Sequence, residues 1–111
     1  MDTDSIQDKN PATPYGRTPL HLVAEKGHIE VFGMILDRVP VKNPPDGSGR
    51  TPLHQAAHWG HPEICCAILE VVEDKAPLDK YGKTPLQVAI DAVASGRWQS
   101  AEARDLIRSY Q

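Results

Sequence analysis

Apolar residues along the chain fall in short bursts spaced three and four apart, not in alternation. Leu20, Val23 and Ala24 make one burst, and Leu53, Ala56 and Ala57 another. That spacing predicts helices, and each burst is preceded by a Thr–Pro pair, Thr18–Pro19 or Thr51–Pro52. A threonine hydroxyl can accept from an otherwise orphaned backbone N–H at a helix start, while proline at the first helical position has no N–H to lose. Gly27 and Gly60 then suit a helix C-terminus, so these first helices are short. A second apolar stretch follows each glycine. Ile29, Val31, Phe32, Ile35 and Leu36 are matched by Ile64, Cys65, Ile68 and Leu69, which predicts a second helix in each unit. Residues 40–50 hold three prolines, two glycines and Asp46, which stop the helix and favour an extended, turned excursion. The units are therefore helix pairs joined by finger-like loops.

The pattern repeats. Thr18-Pro19-Leu20-His21, Thr51-Pro52-Leu53-His54 and Thr84-Pro85-Leu86-Gln87 begin at successive intervals of 33 residues. The same register aligns Lys9, Lys42 and Lys75, then Pro11, Pro44 and Pro77, then Gly16, Gly49 and Gly82, then Arg17, Arg50 and Lys83. These motifs, with Gly27-His28 and Gly60-His61, resemble the ankyrin family, whose helix-opening signature is Thr-Pro-Leu-His and whose period is 33. The resemblance covers roughly residues 8 to 107. It implies an all-α solenoid of stacked helix-turn-helix pairs in a single domain over 1–111, with repeats at about 13–45, 46–78 and 79–111. A pair of this size cannot bury its own apolar face, so about three stacked units are the minimum expected to fold.

The third unit departs from the pattern. Gln87 replaces the motif histidine, and Ala94-Ser95-Gly96-Arg97 delays the turn by about three residues, so its first helix should be longer. The polar load from Trp98 to Tyr110, including Gln99, Glu102, Arg104, Asp105, Arg108 and Ser109, suits a C-terminal cap. Residues 1 to 12 are too short for a capping helix pair, so self-association through the first repeat, or truncation from a longer array, is an open expectation.

Charge and cysteine content narrow the function classes. Twelve basic against fifteen acidic residues, a formal charge of −3, give no bulk reason to seek nucleic acid or an anionic membrane. The start lacks a secretory pattern and no apolar run approaches about eighteen residues, so an intracellular location, cytoplasmic or nuclear, is expected. Cys65 and Cys66 are adjacent, a poor geometry for a disulfide, and Cys65 takes an apolar position. His54, His58 and His61 invite a metal reading. The resemblance instead assigns His54 to the helix-opening motif and His61 to the Gly-His turn, so no metal, cofactor or catalytic role is expected.

The resemblance further implies binding through finger tips and the concave face of first helices. The outward, variable positions are then Tyr15, Arg17, Glu25 and Lys26; Ser48, Arg50, Gln55, His58 and Trp59; and Tyr81, Lys83, Asp91 and Ala92. Trp59 stands out as an anchor, because tryptophan is enriched among interface hot spots. Arg17, Arg50 and Lys83 should line up as a positive stripe suited to an acidic segment of an unidentified protein. Asn10 and Asn43 occupy the finger position at which family members can be hydroxylated, although tying the turn together is the expected role. The reading is a protein–protein interaction module, not an enzyme, with a structural segment of a longer scaffold as the alternative.

Overall fold

The computed structural model describes residues 16–111. Tyr15, Asn10 and the residues expected to precede the first helix pair lie outside that range. Among the described residues there are six helices: α1 Pro19–Lys26, α2 Ile29–Leu36, α3 Pro52–Trp59, α4 Pro62–Leu69, α5 Pro85–Ala94 and α6 Ser100–Ser109. First helices α1, α3 and α5 pack side by side in one layer, and α2, α4 and α6 form the second. Between the layers lies one continuous core built from Leu20, Phe32, Leu36, Leu53, Ile64, Cys65, Ile68, Leu69, Ala103 and Ile107.

Local chemistry starts each first helix as the sequence requires. Thr18, Thr51 and Thr84 are extended N-caps; the Thr51 and Thr84 hydroxyls accept from the N–H of His54 and Gln87, at 3.3 and 3.1 Å. α1 ends at Gly27 and α3 at Gly60, both left-handed, with φ of 78° and 77°. Gly27 is needed twice over: a Cβ there would also come within 2.5 Å of the His61 ring, whose Nε2–H donates to the Glu25 carbonyl at 3.0 Å. Gly27→Ala is expected to lower stability by about 2 kcal/mol, part from the left-handed backbone and part from displacing His61. A urea titration showing a loss under about 0.5 kcal/mol, the usual range for a surface change, would contradict this.

The motif histidines join one unit to the next. His21 Nδ1 accepts from the Thr18 N–H at 3.0 Å, so its proton sits on Nε2, which donates to the Arg50 carbonyl at 2.8 Å. His54 repeats this with the Thr51 N–H at 3.0 Å and the Lys83 carbonyl at 2.9 Å. Gln87 is exposed and bonds instead to Asp91. The repeated lysines close the second helices, Lys42 donating to the Leu36 carbonyl and Lys75 to that of Leu69. Asn43 Oδ1 accepts from the Leu53 N–H at 3.1 Å, tying finger to helix.

α5 runs ten residues where α1 and α3 run eight. The delayed turn then brings Ser100 Oγ within 2.8 Å of the His58 carbonyl, fixing α6 to the end of α3. α6 buries Ser100, Ala103 and Ile107 and turns Glu102, Asp105, Arg108 and Ser109 to water.

Candidate partner-binding groove

The fingers are rigid enough to position side chains. Asp46 Oδ1 accepts from the Ser48 and Arg50 N–H groups at 2.8 and 3.0 Å. Asp79 Oδ1 does the same for Tyr81 and Lys83, at 2.9 and 3.0 Å. Burial pushes the Asp79 carboxyl upward, but the Lys83 and Tyr81 N–H groups outweigh it and hold the pKa below its ordinary value. The Lys80 N–H donates to the Ser48 carbonyl at 2.8 Å, joining the two fingers. Arg50 and Lys83, whose carbonyls receive the histidine bonds, thus stand at fixed places where finger meets helix.

Between the second and third units lies an open groove of about 500 Å³. Arg50 and His58 line one wall, and Lys83, Asp91, Arg97 and Trp98 the other, over the buried Val88 and Ala92. Arg50 and Lys83 also line a neighbouring hollow of about 500 Å³ with Ser48, Asp79 and Tyr81, so groove and fingers form one concave surface.

The cationic row is not a free stripe. Arg17 pairs with Glu25 at 2.5 Å and Lys83 with Asp91 at 2.7 Å, each partner eight residues downstream on the same unit. The Lys83 ammonium, then the Gln87 amide, keep the Asp91 carboxyl below its ordinary pKa. In the second unit the equivalent place holds His58, so Arg50 has no such carboxylate. Its Nε lies 3.8 Å from the buried Asp79 Oδ2 and, although itself buried, has no hydrogen-bond acceptor. Burial, and then the Arg50 and Arg97 charges, push the His58 pKa down, against a smaller upward pull from Glu25.

The remaining sequence-nominated residues divide. Trp59 is 36% exposed, with the Arg97 guanidinium 4.4 Å from its ring centre and the His58 ring edge-on at 4.9 Å. It supports the groove's wall from behind and does not line it. Tyr81 stands 71% exposed beside the Lys80 ammonium. Lys26 is exposed at the end of α1, outside the groove. Gln55 was expected to face outward and is instead only 8% exposed, because α3 packs between α1 and α5. The lining residues that the sequence did not point to include Arg97 and Trp98, the latter 74% exposed. Their signal was the break in the repeat at this point, where Ala94–Arg97 is read as a delayed turn and Trp98–Tyr110 as a C-terminal cap.

Among the described residues no three His, Cys, Asp or Glu side chains group as a metal site needs. Burial pushes the Cys65 thiol up to about 12, far from the thiolate a nucleophile requires. No helix among the described residues is long and apolar enough to cross a membrane.

Short helix pairs stacked in two layers, histidine-linked and fingered along one edge, define a helical-repeat solenoid. The profile of the family described as Ankyrin repeats (3 copies) matches residues 2–76 and 41–99, and the chain belongs to the ankyrin-repeat family. Members of that family are generally protein-interaction modules and typically not enzymes. Compared with curated protein sequences, the chain has no match.

Proposed function

We propose that the chain binds a partner protein along its concave side, with the groove between the second and third units as the main docking surface. One observation carries this reading: Trp98, 74% exposed, stands at the rim of a groove whose walls carry Arg50, Lys83 and Arg97. Tryptophan and arginine dominate interface hot spots, and an indole left in water is an unfavourable arrangement that a partner would relieve. The family's general role as an interaction module agrees with it. An intracellular setting goes with the reading, since Cys65 and Cys66 are both free thiols.

Affinity capture from lysate with wild type and Trp98→Ala side by side tests this. Trp98→Ala is expected to fold normally by circular dichroism and to lose the captured partner by about tenfold or more, the usual size of a hot-spot loss. Trp59→Ala is expected to weaken capture less, through loss of the Arg97 platform. Undiminished capture by Trp98→Ala would move the binding surface elsewhere.

A second reading, a structural segment of a longer scaffold, is favoured by the exposure of Val31 and Met34 on α2. It expects neither tryptophan substitution to alter any interaction.

A further inference from the structure

We infer that the groove receives an acidic peptide segment, with an Asp or Glu carboxylate between Arg50 and Arg97 and an apolar neighbour of that residue lying on Trp98. This rests on the reading of the chain as a protein-binding module and names the chemistry of its partner.

Charge complementarity commits the groove to this occupant. Three cations line it, and Asp91, the carboxylate beside them on α5, is already engaged by Lys83 at 2.7 Å and by the Gln87 amide at 3.0 Å. Asp79 spends Oδ1 on two finger N–H groups and stops 3.8 Å short of Arg50 Nε, beyond hydrogen-bond reach. Arg50 therefore brings to one wall a guanidinium that faces a carboxylate only across the 3.8 Å gap to Asp79 and whose buried Nε has no hydrogen-bond acceptor. Arg97 brings a second, held in place over the Trp59 ring. A planar fork already fixed by stacking loses little freedom when it grips a carboxylate.

His58 reports the field between them. Burial is the main cause that disfavours its imidazolium, the Arg50 and Arg97 charges that face it add to that, and Glu25 opposes them more weakly. A carboxylate set beside it counters the two guanidinium charges and raises the His58 pKa, so binding takes up a proton and affinity rises as pH falls. The apolar half of the site is Trp98 with the Val88 and Ala92 floor, which suits a Leu, Phe or Trp adjacent to the acidic residue. The chain's own charge of −3 makes a long polyanion the poorer occupant.

The test pans the full chain against a displayed library of random peptides, then measures the consensus peptide by fluorescence anisotropy. Enriched peptides are expected to carry Asp or Glu next to a large apolar residue. The consensus peptide should bind Arg97→Glu and Arg50→Gln about tenfold or more weakly than wild type, with Arg97→Lys closer to wild type. Binding should be tighter at about pH 6 than at about pH 8, a difference that His58→Gln removes. Circular dichroism of each variant separates loss of binding from loss of fold.

Enrichment of neutral or basic peptides, no enrichment, charge-insensitive binding of the acidic consensus, or equally tight binding of a single-stranded oligonucleotide would each overturn the inference. If a lysate partner is still captured through Trp98 in any of those cases, only this inference fails. If no protein is captured at all, the reading beneath it fails.

Discussion

Ile64→Ala lowers the free energy of unfolding by about 3 kcal/mol, while Val31→Ala, one period upstream, lowers it by less than about 1 kcal/mol. The two residues hold the same place in their units, yet Ile64 is 1% exposed and Val31 46%. The difference is stacking: α4 packs between α2 and α6 and Ile64 is closed off from water, whereas Val31 keeps much of its surface in water. Truncating the buried residue removes transfer free energy and leaves a void, whereas truncating the exposed one removes little of either. Against a total of about 5–15 kcal/mol for a domain this size, the first loss is large and the second barely measurable. Urea titrations of both variants check this, and equal losses would mean that units are stabilised internally instead of by their neighbours.

Acidification produces the second large effect. His21 and His54 are fully buried, and that burial, opposed by the bonds to the Arg50 and Lys83 carbonyls, lowers both pKa values in the folded state from 6.5. The unfolded chain then binds more protons than the folded one once pH drops towards and below about 6.5. Stability is fully present above that value and is lost as pH falls, at a rate approaching about 1.4 kcal/mol per pH unit for each histidine. Protonating Nδ1 would also set a donor against the threonine N–H, so the unit-to-unit link opens with the titration. Half-buried His58 adds to the same trend. Unfolding midpoints followed from about pH 7.5 to about pH 5 should fall steeply, and His54→Gln should flatten the slope by up to about 1.4 kcal/mol per pH unit while lowering neutral stability. A flat profile for wild type would contradict the link.

Much of the fold was legible because its signals are local. A Thr–Pro start, a left-handed glycine end and a proline-rich finger each act within a few residues, and a fixed period turns three local readings into a stack. What the units do to one another was less legible. Lys42 and Lys75 could be seen to repeat, but not that their ammonium groups close α2 and α4. Gln55 occupies a position that looks variable, and only the flanking helices on both sides of α3 bury it. The cationic row was visible, while its neutralisation by Glu25 and Asp91 depends on a finger residue meeting a helix residue eight positions on. The site was hardest where the period fails. The delayed turn after α5 takes Arg97 and Trp98 out of register with any earlier residue, so comparing units could not nominate them.

The most direct test of the groove is photo-crosslinking with a photoreactive amino acid at Ser95, which lines it, or at Val71, an exposed position outside it. The account predicts a discrete covalent adduct with a protein at Ser95, absent at Val71 and lost when Trp98→Ala is added. Adducts at Val71 but not Ser95, or at Ser95 regardless of Trp98, would contradict it.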